Sequence, residues 1–279
     1  MPAPQGRVHR HIRAAFVSDL HLGARHSQPE AFLAWLETVQ PDSLYLVGDI
    51  IDGWQLRRGF RWSPVCSDVL TRLSELVRHG TRVFYTPGNH DSFLRSDNFV
   101  RSLSRQLYGI QIADEFHCET ADGRRLMVTH GDLFDSVETG AQWLSKLTSV
   151  VYDPLLGTNR LISRIRCRAD RSPYAMCARI KRRVKQMVRF ISHYEERLLH
   201  HAQQHDCDGV ICGHVHTPSI VRRGALTYYN TGDWVENCTA LVESHDGGFS
   251  LEYYYSGDRG SADLPALADE MADDALCSH

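Results

Sequence analysis

The 279 residues, 42% hydrophobic and 23% charged, can bury a substantial core in one large domain or two small ones, which excludes a low-complexity chain. No apolar stretch approaches the roughly 18 residues of a spanning helix and no apolar leader follows Met1, so the chain reads as cytoplasmic, with any membrane contact peripheral. The net charge of −3 hides an asymmetry: from Arg160 to Arg189 eleven Lys or Arg face one acid, Asp170, so that segment is +10, the remainder is about −13, and an anionic partner is expected.

In chain order, Ala14-Ala15-Phe16-Val17-Ser18 predicts a buried strand ending at Asp19-Leu20-His21. Phe32, Trp35, Leu36 and Val39 follow helical spacing after Pro29. Ser43 to Val47 is a second strand, and Gly48 turns it into Asp49-Ile50-Ile51-Asp52. Val69, Leu73, Leu76 and Val77 mark a second amphipathic helix, stopped by His79-Gly80. Arg82 to Thr86 is a third strand, which Pro87-Gly88 turns into Asn89-His90-Asp91, and a further helix is expected up to Leu107. This alternation means a parallel sheet with crossover helices.

From Phe116 onward the pattern changes to hairpins, with turns at Asp122-Gly123, Arg223-Gly224 and Asp246-Gly247-Gly248. The first hairpin delivers His130-Gly131-Asp132, and a strand at Gly209 to Cys212 runs into Gly213-His214-Val215-His216. The expected architecture is two packed mixed sheets with helices outside, one domain over 14–257, with a basic helical insertion over 134–205. The tails 1–13 and 258–279 are expected to be flexible. The eight Cys form no C-x-x-C pair, so reduced thiols are expected, and Cys212 reads as strand packing.

Five stretches place acids and imidazoles beside Gly or Asn at strand ends, where open α/β sheets put their sites. They supply Asp19, His21, Asp49, Asn89, His130, His214 and His216. Carboxylate, imidazole and amide oxygen together suit hard and borderline divalent cations. Alternating pairs such as Asp19 with His21, or His214 with His216, would share a face if their segments were extended. A pair of cations about 3.5–4 Å apart can hold both oxygens of an in-line displacement at phosphorus, and Asp49 is the natural carboxylate to bridge them. Asp52 and Asp132 either orient the imidazoles or are loop polar groups, and Thr217 is open in the same way.

D-x-H, G-D-x-x-D, G-N-H-D, H-G-D and G-H-x-H, in this order, resemble the calcineurin-like metallophosphoesterase family from about Phe16 to Glu243. The resemblance implies an αββα sandwich and a dinuclear centre. One cation would take Asp19, His21, Asp49 and His216, and the second Asp49, Asn89, His130 and His214. His90 would be the catalytic imidazole, with Asp91 orienting it. Donor softness favours Mn²⁺, with Fe or Zn²⁺ next, over Mg²⁺.

Gly48 to Trp54, the helical insertion and Asn230 to Glu236 together look like the UDP-2,3-diacylglucosamine diphosphatase group, which releases UMP from an anionic nucleotide-diphosphate lipid. In the insertion, Arg179, Arg182, Arg183 and Lys185 are candidates to bind the diphosphate or an anionic membrane surface. One departure stands out: the best-known members of that group carry Arg where this chain has His90. The alternatives are another nucleotide-diphosphate conjugate or a phosphodiester. A nucleic-acid phosphodiesterase fits less well, since Tyr174 is the lone aromatic within the basic block.

Overall fold

Both faces of the first strands must be buried, because Ala14 to Val17 and Leu44 to Val47 are apolar without alternation. The computed structural model, which describes residues 9–55, 62–96, 109–135 and 191–254, buries them between two layers. Strands β1 (Arg10–Val17), β2 (Val39–Val47), β3 (Arg82–Thr86) and β4 (Ile110–Ile112) run parallel. Helix α1 (Pro29–Leu36) joins the first two strands and α2 (Pro64–Arg78) lies between the next two. Strands β10 (Thr239–Glu243) and β11 (Phe249–Tyr253) add antiparallel to the edge of β1, giving the order β11-β10-β1-β2-β3-β4. The second sheet has the order β5-β6-β7-β9-β8, from β5 (Glu115–Glu119), β6 (Arg125–Thr129), β7 (Gly209–Cys212), β8 (Ser219–Arg223) and β9 (Leu226–Asn230). It too is mixed: β6, β7 and β9 are parallel, and β5 and β8 are antiparallel at the edges.

Strand periodicity sorts the side chains into three apolar layers. Ala15, Val17, Leu44, Leu46 and Val83 face α1 and α2, meeting Phe32, Trp35, Val69 and Leu76. Their neighbours Phe16, Tyr45 and Val47 point the other way, against Val128, Ile211 and Tyr229 of the second sheet. The outer face of that sheet, with Met127, Val210 and Tyr228, is covered by a helix over 191–204 (α3) through Tyr194, Leu198 and Ala202. The result is the αββα layering expected. Three boundaries differ most: β1 begins at Arg10, so the end of the 1–13 tail is ordered strand paired with β2; α1 stops at Leu36; and β2 begins at Val39, four residues before Ser43. Val39 keeps its apolar burial but spends it as the first strand residue rather than the last of a helix.

No helix among the described residues is long and apolar enough to cross a membrane. Of the cysteines, Cys66, Cys118, Cys207, Cys212 and Cys238 are buried free thiols. Burial pushes the Cys212 thiol up to about 12, which leaves it a packing group of β7, as expected. The helix to Leu107, most of the basic insertion, with Arg179, Arg182, Arg183 and Lys185, and the 258–279 tail lie outside the described residues.

Candidate metal centre

The loops after β1, β2, β3, β6 and β7 converge at one end of the paired sheets. Parallel pairing does not stop with the strands: Asp19 N donates to Gly48 O at 3.0 Å, His21 N to Asp49 O at 2.9 Å and Leu22 N to Ile50 O at 2.8 Å. Along this ladder the chain is not extended. Asp19 (φ 53°), His21 (φ 49°), Asp49 (φ 54°), His214 (φ 69°) and His216 (φ 49°) all sit in the left-handed region. The expected mechanism of convergence, alternation along an extended segment, is therefore corrected: left-handed kinks turn these side chains inward. Each such residue costs on the order of 1–3 kcal/mol and persists only where its surroundings fix it. Gly48 allows the close approach itself, since at φ +83° a Cβ there would lie 2.7 Å from Cβ of His130 and closer still to its ring.

One ligand atom from each of Asp19, His21 and His216 lies within 4.8 Å of the others, and the same holds for Asp19, Asp49 and His130, and for His21, Asp49 and His90. The unused lone pairs indicate what belongs between them. Asp19 Oδ2 accepts from Ser18 Oγ at 2.5 Å and His214 N at 3.0 Å, while its buried Oδ1 faces His216 Nε2 at 3.1 Å and His21 Nε2 at 3.8 Å. Asp49 Oδ1 accepts from His90 N at 2.8 Å, and its Oδ2 stands 3.5 Å from His130 Nε2 and 4.0 Å from His21 Nε2. His130 Nδ1 donates to Val47 O at 2.8 Å, which leaves Nε2, buried and without a hydrogen bond, facing Asp49 Oδ2 at 3.5 Å. Asn89 Oδ1 is orphaned in the same way. Buried polar atoms left unpaired are rare and costly. Carboxylate oxygens and imidazole nitrogens gathered within 4.8 Å of one another, with a buried amide oxygen left over on the β3 loop, fit divalent cations.

Electrostatics agree with this. Burial would raise the carboxyls of Asp19 and Asp49, yet the surrounding imidazoles, His216 and His21 for the first and His130 and His21 for the second, hold both below the usual range. Burial would lower His130 and His216, but Asp49 and Asp19 respectively pull them up to about 10 and about 9. Without cations, these imidazolium protons carry the compensating charge.

His90 packs its ring at 3.8 Å on the indole of Trp54 and edge-on to His21 at 4.5 Å. Its Nδ1 is 3.1 Å from Asp52 Oδ1, so Asp52 orients it. Asp91, expected in that role, points away: it accepts from Gly88 N at 2.6 Å, Ile50 N at 2.8 Å and Tyr85 Oη at 2.5 Å. Its carboxylate holds the β2 and β3 loops together from within the sheet end, a job adjacent chain position could not reveal. His214 lies at 5.3 Å from the His130 ring, and its Nε2 is 3.4 Å from Asp135, so its ring belongs to none of the three clusters. Thr217 takes the turn role, donating to Val215 O.

Sequence reasoning missed Arg95, whose guanidinium grips both oxygens of Asp132 at 2.8 Å and Pro87 O at 2.7 Å. This fork ties the Asn89-His90 loop to the His130 loop, and no motif marks it. Asp233 was also missed as a support: it caps the backbone at Val235, Glu236 and Asn237, and Asn237 Nδ2 donates to His216 O at 3.1 Å. Trp234 seals that loop into the core against Phe32 and Trp35 and donates its backbone N–H to Asp19 O.

The family model for calcineurin-like phosphoesterases matches residues 12–218. The chain is similar to a UDP-2,3-diacylglucosamine hydrolase of Psychromonas ingrahamii, 25% identical over 84% of this chain and 95% of the relative. A protein of the same name from Shewanella sp. is 27% identical over 85% of this chain and 95% of its own. Among solved structures, an archaeal phosphodiesterase aligns over 86% of this chain and 98% of its own, at 12% identity and a TM-score of 0.42. With five loops supplying one buried set of acids, imidazoles and an amide, and a family match across most of its length, the chain belongs to the calcineurin-like phosphoesterases and is a metal-dependent phosphoesterase.

Proposed function

We propose that the chain hydrolyses the pyrophosphate of a UDP-2,3-diacylglucosamine-like substrate, releasing UMP and a diacylglucosamine 1-phosphate, at a centre of two divalent cations bridged by Asp49. The observation that carries the reaction is the gathering of ligand atoms of Asp19, His21, Asp49, His130 and His216 in overlapping sets of three within 4.8 Å, with His130 Nε2 3.5 Å from Asp49 Oδ2 and His216 Nε2 3.1 Å from Asp19 Oδ1. Asp19, His21, Asp49 and His216 would hold one cation, and Asp49, Asn89, His130 and His214 the other. Bound there, two cations supply Lewis acidity and lower the pKa of the attacking water.

The chain's own residues do the rest. A ring nitrogen of His90 lies within 4.8 Å of a His21 nitrogen and an Asp49 oxygen, within reach of a phosphoryl group seated on the centre. Asp52 favours the protonated ring, raising His90 from its ordinary value against the lowering effect of burial. His90 therefore donates a proton to the phosphoryl or leaving oxygen, and Trp54 restricts its ring to one plane. Ser18 and His214 N hold Asp19 with Oδ1 forward.

For the substrate, support comes from the names of the two bacterial relatives and from apolar groups on the site loops. Trp54 and Leu133 are 45% and 59% exposed, on the loops that carry Asp49 and His130, where an acyl chain could be received. The basic residues Arg179, Arg182, Arg183 and Lys185 would face the diphosphate or an anionic membrane surface. Incubating the Mn²⁺-loaded protein with detergent-dispersed UDP-diacylglucosamine and assaying UMP tests the reading. Hydrolysis of a plain aryl phosphodiester without UMP release would leave the phosphoesterase and overturn the lipid substrate.

A further inference from the structure

Away from the centre described above, α3 and the edge strand β5 bring a second set of metal-type donors together. His201 sits near the end of α3, and His205 follows one turn later, at i and i+4. Glu115 opens β5, and its Oε1 is 2.9 Å from His201 Nε2. One atom each of Glu115, His201 and His205 lies within 4.8 Å of the others, and the two imidazoles are 4.5 Å apart. A surface ion pair between Glu115 and His201 would need neither the second imidazole nor its close approach.

We propose that Glu115, His201 and His205 form a separate site for one borderline divalent cation, which clamps α3 to β5. Two imidazole nitrogens and one carboxylate oxygen are a donor set that prefers Zn²⁺ or Co²⁺ to Mg²⁺ or Ca²⁺, and three protein ligands leave a fourth position open. Binding replaces the His201–Glu115 hydrogen bond with bonds from the ring nitrogen and the carboxylate to the cation. His117, two residues along β5, flanks the cluster but gives its Nδ1 to Arg125 at 3.1 Å, so it stands beside the ligands rather than among them. The carboxyl end of α3 also favours positive charge.

The clamp has a defined place in the fold. α3 covers the outer face of the second sheet, and β5 is the edge of that sheet. The His201 ring packs at 4.8 Å on Phe134, the residue before Asp135, whose carboxylate meets His214. A cation on His201 fixes this contact and, through it, one wall of the His214 loop.

The test uses the full chain, stripped with chelator and titrated with Zn²⁺ against a chromophoric competitor. An Asp49→Ala background weakens the dinuclear centre and isolates the third site. In that background, one equivalent of Zn²⁺ should still bind and raise the thermal midpoint. His201→Gln with His205→Gln should remove that equivalent, and Glu115→Gln alone should weaken it at least about tenfold. Glu115 and His201 are half-buried and His205 is exposed, so circular dichroism checks that both variants fold. Equal Zn²⁺ uptake with and without the His201→Gln and His205→Gln changes would overturn the site, whatever the dinuclear centre does.

Discussion

At the scale of single residues, the side chains that matter are set by their partners rather than by their neighbours in sequence. Asp49 has one oxygen engaged by His90 N and the other facing His130 and His21. Asp49→Ala should lower turnover at least about a hundredfold and reduce bound metal, read by steady-state kinetics beside elemental analysis. Full activity with two metals retained would exclude Asp49 as the bridge. Asp52 acts through His90. Asp52→Asn should lower kcat by about ten- to a hundredfold with little change in KM, and flatten the acid-donor limb of the pH profile. Asp91→Asn, by contrast, should reduce thermal stability, because its carboxylate serves Tyr85 and the backbone N–H groups of Gly88, Ile50 and Ile51 rather than the His90 ring.

At the scale of elements, the strand-end loops are pressed together more closely than side chains normally allow. Gly48→Ala meets both a left-handed backbone and the His130 ring, for a cost of about 3 kcal/mol and a loss of metal. Gly224→Ala, in the β8–β9 turn, has φ +63° with nothing within 4 Å of the added Cβ, and should cost only about 1 kcal/mol. Thermal melts of the two side by side separate backbone strain from steric closure. The five left-handed residues are a property of this level too. Asp and His enter that region more readily than most side chains but still at a cost, and here the continued β1–β2 ladder and the Trp234–Asp19 bond hold Asp19, His21 and Asp49 in it, while His214 N on Asp19 and Asn237 on His216 O hold the other two.

For the whole molecule, the charge of the centre couples folding to pH. In the metal-free protein His130 and His216 are raised, to about 10 and about 9, above their unfolded value. Their stabilisation is complete below that unfolded value and is lost as pH rises through about 9 to 10. Asp19 and Asp49 are depressed, so their contribution is present above the unfolded carboxylate value and is lost as pH falls through the lowered folded value. The melting temperature of chelator-treated protein should therefore decline from pH 7 to pH 10, whereas protein loaded with Mn²⁺ should decline less, since cations replace those protons. Parallel declines would mean that the imidazoles are not compensating for an absent metal.

The layering and the loops on which acids and imidazoles gather can be read from local sequence. Unbroken apolar runs at Ala14 to Val17 and Leu44 to Val47 demand burial on both faces, and Gly-Asp, Asn-His and His-x-His at their ends announce metal chemistry. Local pattern is enough for this because a strand's burial is written in its own side chains. Which acid serves which group depends on packing: Asp52 rather than Asp91 beside His90, Arg95 across to Asp132, Asp135 beside His214. These partners lie tens of residues apart, on loops whose direction is set by left-handed kinks. The direction of a carboxylate there follows from how the loops pack, which residue spacing does not encode.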